Sequence, residues 1–304
     1  MLENQSVASA APEIDGRSGA GTRWSQERRL EFIEFRLLWE GKINRGELVN
    51  FFGTSIQQAS LDISRYSKLA PGNLEYDKSD KVYRVSAGFT PVITQADSRE
   101  FLDQLCGSSS SAGGSPLSFV GWRPSFAIVQ YPTRTIRPDI LMRVIWAIRD
   151  REAIELTYQS MRRPVESRRW ISPHAIAFDG TRWHVRAWCH ENSYFKDFVF
   201  ARILRIFATR PSDIDATKDH RWHSHATVVL RARHDLTPGQ QKAVETEYGM
   251  QDGRLKIRMR EALVFYFARQ LRMDSDAGHP KCNKMIEWVN SEELSPLLIE
   301  AESK

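Results

Sequence analysis

A chain of 304 residues with 41% hydrophobic and 27% charged side chains carries enough apolar surface for two or three separately cored units. No apolar run approaches the roughly eighteen residues needed to cross a bilayer, and the N-terminus lacks the basic-then-apolar layout of a secretory leader, so a membrane partner is not expected. Cys106, Cys189 and Cys282 are widely spaced and form no C-x-x-C pair; neither a disulfide framework nor a cysteine zinc site is expected, and a cytoplasmic location fits.

Residues 1–22 (MLENQSVASAAPEIDGRSGAGT) are small and polar and read as a disordered tail. From Trp24 to Lys42, Leu30, Ile33 and Leu37 recur at helical spacing, with Gly41 as the stop. RGELVNFFG predicts a second helix with Leu48, Val49 and Phe52 inward and Gly53 ending it. TSIQQASLDISRYSKL predicts a third, capped by Thr54 or Ser55, with Ile56, Ala59, Ile63 and Tyr66 on the inner face. Gln57, Gln58, Leu61, Arg65 and Lys68 then fall outward, and NLEYDKSDKVYRVS reads as a β-hairpin.

Three helices and a hairpin over residues 23–90 make a winged helix-turn-helix. Glutamine pairs with adenine, arginine with guanine or phosphate, and leucine meets a thymine methyl. The candidate DNA-contacting set is Ser55, Gln57, Gln58, Leu61, Arg65 and Lys68 on the helix, with Lys78, Lys81 and Arg84 on the hairpin. Against it stands the charge: eleven basic and nine acidic residues between Arg23 and Val85 net only +2, little for a domain that neutralises phosphates.

Residues 91–136 read as a linker or dimerisation segment, with a helix over Thr94–Leu105 and a flexible loop at 107–116. In 137–210 a helix from Pro138 to Arg149 bears Leu141, Val144, Ile145 and Ile148 on one side, then come AIELTYQSM, RRWISPHAIAF, RWHVRAWC and FKDFVFARILRIF. Consecutive short strands with an Asp179-Gly180 turn suggest a small barrel. Residues 211–225 read as a polar linker, in which His220, His223 and His225 offer no regular ligand face, so no metal site is expected. Residues 226–304 read as a strand, a helix capped by Thr237, a strand, a helix and a final helix around MIEWVN, a small α/β module.

The basicity is concentrated in the middle: ten Lys/Arg against four Asp/Glu from Arg162 to Arg210. Strand alternation puts Ser172, His174 and Ile176 on one side of the first hairpin strand, and His184, Arg186 and Trp188 on one face of the next. Phe198, Phe200 and Arg202 share a parity on the last strand, so Arg202 is expected on the side of Arg186. With the Tyr158 phenol, this surface suits an anion carrying a flat ring.

SPHA-x-x-FDG-x-RWHVRA, preceded by IELTY and followed by FKDFVFARI, resembles a WYL domain, with Trp183-His184-Val185 at the place of the Trp-Tyr-Leu signature. With both flanks, residues 24–290 are similar to the defence-associated WYL repressors of the CapW and BrxR type. The resemblance implies an α+β multidomain chain: an N-terminal winged helix-turn-helix, a central Sm-like or SH3-like β-barrel and a C-terminal α/β domain called WCX. It implies a bacterial homodimer without cofactor, which represses an antiviral defence operon through an inverted-repeat operator and responds to a nucleic acid or nucleotide effector. Tyr158, Ser172, His174, Arg186 and Arg202 are the implied ligand positions, and His184, which departs from the signature's tyrosine, is a sixth ligand candidate beside them. The alternative is a nucleotide-processing enzyme using His174 or His184 as acid/base. The chain shows no clear carboxylate pair, P-loop or G-x-S-x-G, so no catalytic residue is assigned.

Overall fold

A computed structural model describes residues 18–107, 118–129, 132, 134–273 and 283–298, in two compact units that divide between Tyr131 and Pro132. Residues 1–17 of the expected tail and residues 108–116 of the expected loop lie outside the described residues.

In the first unit, α1 (Ser18–Glu40) starts upstream of the expected boundary, so residues 18–22 are helical and not tail; once a helix is nucleated, the ordering cost of each added residue is offset by the hydrogen bond it adds. Strand β1 (Lys42–Ile43) leads into α2 (Arg45–Phe52), whose start is a capping box between Asn44 and Glu47 and whose end is Gly53 in the left-handed conformation at φ 63°. Helix α3 (Ile56–Leu69) is capped by Ser55, whose hydroxyl accepts from the Gln58 amide at 3.1 Å. Its inner face is Ala59, Asp62, Ile63 and Tyr66. Ile56, expected inside, is 63% exposed; Asp62 takes an interior place because Arg29 of α1 reaches its carboxylate at 2.6 Å. Strands β2 (Leu74–Asp77) and β3 (Val82–Val85) form the hairpin, and β1 adds to β3 in an antiparallel sheet of order β1-β3-β2.

The expected linker at 91–136 is in large part packed onto this unit. Helix α4 spans Ser98–Gly107, and beyond it Phe119 and Val120 are buried, Phe119 packing edge-on against Phe32, Phe35 and Phe51. Glu34, wholly buried on α1, accepts from the backbone amides of Val92, Ile93 and Thr94 and from the Tyr66 hydroxyl. Thr94 is thereby held in a carboxylate clasp, and α4 begins at Ser98 instead of at Thr94 as expected. Glu34→Ala should orphan these four donors and lower the stability of the N-terminal unit by about 3 kcal/mol, read as a lower urea midpoint.

In the second unit, α5 (Pro138–Asp150) buries Ile140, Val144 and Ala147, with Leu141 and Ile148 half-buried. Ile145, expected inward, is 45% exposed; the small Ala147 takes the contact and rotates the apolar stripe. Five strands follow: β4 (Glu152–Tyr158), β5 (Ser167–Phe178), β6 (Trp183–Cys189), β7 (Tyr194–Val199) and β8 (Ile203–Pro211). Gly180, at φ 88°, makes the turn between β5 and β6, while Asp179 accepts from the Thr181 and Arg182 amides.

FKDFVFARILRIF is not one strand, because a 3-10 turn at Phe200–Arg202 splits it into β7 and β8. The sheet is open, in antiparallel order β7-β6-β5-β4-β8, and among the described residues no pairing joins β7 to β8, so the expected closed barrel is not formed. It is nonetheless curled. A flat five-stranded sheet would set its edges about 19 Å apart, whereas the four steps from Val199 to Ile203 span about 14 Å at most. The Val199 amide donates to the Tyr158 hydroxyl at 3.2 Å across the gap, from one edge strand to β4.

The stretch read as a polar linker, 211–225, carries a 3-10 turn (Ala216–Lys218) and α6 (His220–His223), with Asp219 buried between them. The C-terminal module is β9 (His225–Ala232), α7 (Pro238–Glu247), β10 (Leu255–Arg260), α8 (Glu261–Gln270), β11 (Ile286–Trp288) and α9 (Ser291–Leu294), with sheet order β10-β9-β11. MIEWVN, expected to be helical, supplies the edge strand β11, whose pairing with β9 buries Ile286. Among the described residues no helix is long and apolar enough to cross a membrane.

Candidate nucleic-acid interface and effector cleft

On α3, Gln57, Leu61, Arg65 and Lys68 are exposed, Leu61 by 62%, while Gln58 is half-buried beside them and Ser55 caps the helix. Lys78 and Lys81 stand exposed on the β2–β3 turn. Arg84 differs: its guanidinium donates to Asp77 at 2.9 Å and also meets Asp80, and the Arg84 hydrogen bond holds the Asp77 carboxyl below its ordinary range.

The weak net charge of this unit is resolved by where its acids lie. Glu31, Glu40, Glu47 and Asp62 are paired with Arg28, Arg36 and Arg29, Asp77 and Asp80 with Arg84, and Glu34 is buried among backbone donors. Arg65, Lys68, Lys78 and Lys81 meet no carboxylate among the described residues. The charge of these basic groups on helix and hairpin is thus left uncompensated by the described side chains.

In the second unit the six positions carried over from the resemblance separate. A β-bulge between Pro173 and Ala175 shifts the register, so that Ala175 pairs with Arg186 and Ile176 with Val185. Ser172 and His174 stay together, but Ile176, expected beside them, turns toward the core. Arg186 and His184 share a face of β6, and it is covered. Arg186 is 3% exposed, donates to both Asp219 oxygens at 2.7 and 2.9 Å, and lies 3.4 Å from Asp197. His174 Nε2 lies 3.0 Å from Asp219, and His184 Nε2 lies 2.9 Å from Asp179. Tyr266 of α8 donates to Asp197 at 3.1 Å and sets its ring 4.7 Å from that of His184.

Burial opposes the charge on Asp219 and Asp179. Hydrogen bonds from Arg186 and His174 to the first, and from His184 and Thr181 to the second, nevertheless hold both carboxyls well below the usual range. Burial pushes Asp197 the other way, up, against the Arg186 charge.

Among the described residues of this unit, two recesses take up candidate positions. One, of about 310 Å³, is lined by Ser172, His174, Phe195, Arg151, Ser212 and Asp215; Ser172 is hydrogen-bonded to His190 at 2.9 Å and to Ser212 at 2.7 Å. The other, of about 100 Å³, is lined by Tyr158, Ser160, Arg162, Arg163, Arg169 and Lys196, with Asn192 and Tyr194 at its side. Arg169 and Lys196 are more than nine-tenths buried there, and among the described residues the Arg169 Nε has no hydrogen-bond partner. Among the described residues, Glu191 pairs with two of these side chains, 3.1 Å from Arg169 and 3.4 Å from Arg163.

Of the carried-over positions, Tyr158 lines the basic cleft, Ser172 and His174 line the larger recess, and His184 and Arg186 line neither. Arg202, expected on a strand facing Arg186, sits half-buried in the 3-10 turn that ends the strand parity. Sequence reasoning passed over Asp219, Arg169 and Lys196. Asp219 hid in a stretch that looked like a linker, while Lys196 alternates with Asp197 on β7, a parity that was available to read.

Three family models match in chain order: BrxR transcriptional regulator winged helix-turn-helix domain at residues 25–107, WYL domain at 139–208, and BrxR transcriptional regulator, C-terminal dimerization domain, at 225–294. Fold and site define a winged-helix WYL regulator of the BrxR type. The chain is 39% identical over 284 residues to the DNA-binding transcriptional repressor CapW of Escherichia coli, covering 93% of this chain and 94% of the relative. It is 40% identical to CapW of Pseudomonas aeruginosa (91% and 92% covered) and 39% to that of Stenotrophomonas maltophilia (86% and 88%). It belongs to the CapW family. Proteasome accessory factor B/C (PafBC) of Arthrobacter aurescens, a solved structure about half of whose length (52%) the chain spans, matches at 15% identity with a TM-score of 0.25, too low to bear on the fold.

Removing Asp219 leaves Arg186 buried without its main counter-charge. Asp219→Ala should cost about 3–5 kcal/mol in the second unit, seen as a lower thermal midpoint. Because the folded carboxyl titrates below its unfolded value, this stabilisation is complete at neutral pH and is lost as the pH falls below about 4. An Asp219→Asn chain should therefore lose less stability than wild type between pH 5 and pH 3, as denaturant midpoints would show.

Proposed function

We propose that this chain is a cytoplasmic, ligand-responsive transcriptional repressor that binds an inverted-repeat operator as a homodimer and controls an antiphage defence operon. The CapW relatives are DNA-binding transcriptional repressors by name. The observation that carries the reading to this chain is the face of α3 and the β2–β3 turn, where Arg65, Lys68, Lys78 and Lys81 stand exposed with no carboxylate partner among the described residues. A two-fold dimer, for which the C-terminal dimerization match speaks, would set two such helices in major-groove segments about 34 Å apart.

Effector sensing is assigned to the basic cleft. Arg169 and Lys196, two buried cationic side chains lining one recess, suit a phosphate, and the Tyr158 and Tyr194 rings suit a base. Lys196 and Asp197 are neighbours on β7 and point to opposite faces, so a ligand that shifts Lys196 moves the strand whose other face holds Arg186 and Tyr266. Arg186 is thereby assigned to holding the 211–225 segment on the sheet and not to touching the ligand. For derepression the effector must bind one state better than the other. The enzymatic alternative loses support because His184 is buried on Asp179 and His174 shares Asp219 with Arg186.

Arg65→Ala should weaken binding to the native promoter about tenfold in a gel shift; unchanged affinity would overturn the assignment of α3. Replacing both Lys78 and Lys81 by alanine should weaken binding to all sequences alike and lower the salt slope by about two. Lys196→Gln should leave operator affinity intact while abolishing release by nucleotides or short single strands, which wild type should return chemically unaltered. Normal release by that variant in a reporter strain would sink the cleft assignment.

A further inference from the structure

Asp62 is the one carboxylate wholly buried on the inner side of α3, and its two oxygens are not equivalent. One takes the Arg29 Nε at 2.6 Å; the other takes the Gln58 side-chain Nε2 at 3.1 Å and, more loosely, the Arg29 Nη2 at 3.5 Å. An ionised carboxylate only accepts hydrogen bonds, so the Gln58 carboxamide turns its nitrogen toward Asp62 and its Oε1 away from it. The backbone of Gln58 is pinned as well, through the Ser55 cap at 3.1 Å. Gln57, exposed one position earlier, has no such anchor among the described residues.

A free glutamine serves either as donor or as acceptor by rotating its amide through half a turn. The Arg29–Asp62 pair removes that choice from Gln58. We infer that Asp62 and Arg29 are positioning residues for DNA reading, which fix Gln58 as a hydrogen-bond acceptor for an exocyclic amino group in the major groove, adenine N6 or cytosine N4. The inference rests on the DNA-binding reading above. Purine N7, guanine O6 and thymine O4 are all acceptors and offer nothing to Gln58 Oε1.

The test starts from sites selected by the full-length protein from a random double-stranded pool. The base pair whose preference collapses in Gln58→Ala is the one Gln58 reads. At that pair, an analogue lacking the exocyclic amino group should weaken wild-type binding about tenfold, and a 7-deaza purine lacking the N7 acceptor by less than about twofold. Neither analogue should matter to Gln58→Ala. Asp62→Asn, which lets the amide turn over, should show a smaller loss with the first analogue and a larger one with the second. A wild-type protein sensitive to N7 and indifferent to the amino group would overturn the inference, as would Gln58→Ala changing no position. If circular dichroism shows Asp62→Asn unfolded, the two analogues on wild type and Gln58→Ala decide alone. A pool with no enriched site would instead overturn the DNA-binding reading itself.

Discussion

The second unit is organised around one buried charge balance. Asp219 lies in a short segment with little apolar surface of its own, and that segment is held on the sheet because the Asp219 carboxylate is shared by the Arg186 guanidinium and the His174 imidazole. A buried ion pair gains little stability over an apolar contact, but it tolerates only one geometry, since either partner alone would be a desolvated charge. The bulge after Pro173 belongs to the same arrangement: it lets His174 meet Asp219 while returning Ile176 to the core. Asp197 extends the network to Tyr266 of α8, so sheet, connector and C-terminal module share one set of polar contacts.

The same economy of charge shapes the first unit. Its acids are drawn inward: Glu34 onto backbone amides, Asp62 onto Arg29, and Glu40 and Glu47 onto Arg36. A domain whose net charge looks too small for DNA keeps basic groups on its outer face because most of its carboxylates are paired with arginine or buried on backbone donors. In the second unit two cationic side chains, Arg169 and Lys196, are themselves buried at the basic cleft, with Glu191 paired to Arg169.

Much of this was legible in the sequence, for reasons that differ between elements. The helix stops at Gly41 and Gly53, the Ser55 cap, the β2–β3 hairpin and the Asp179-Gly180 turn are local signals, settled within a few residues of chain. The outward face of α3 followed from helical period alone. What escaped depended on contacts distant in sequence: Ile286–Trp288 is a strand only because β9 offers it an edge, and Ile56 is exposed although its spacing matches Ala59 and Ile63. Strand parity failed where one bulge and one 3-10 turn changed the count.

By itself the sequence determined the three-module order and the residue types available to each module, because period, caps and turn chemistry are short-range properties. Only the tertiary structure decided which polar groups stay available to a ligand and which are used up within the protein. That depends on the partner met across the fold: Arg186 and Arg169 are both buried arginines of the same sheet, yet one is neutralised by Asp219, from 33 residues away, and the other keeps an unsatisfied nitrogen at the basic cleft.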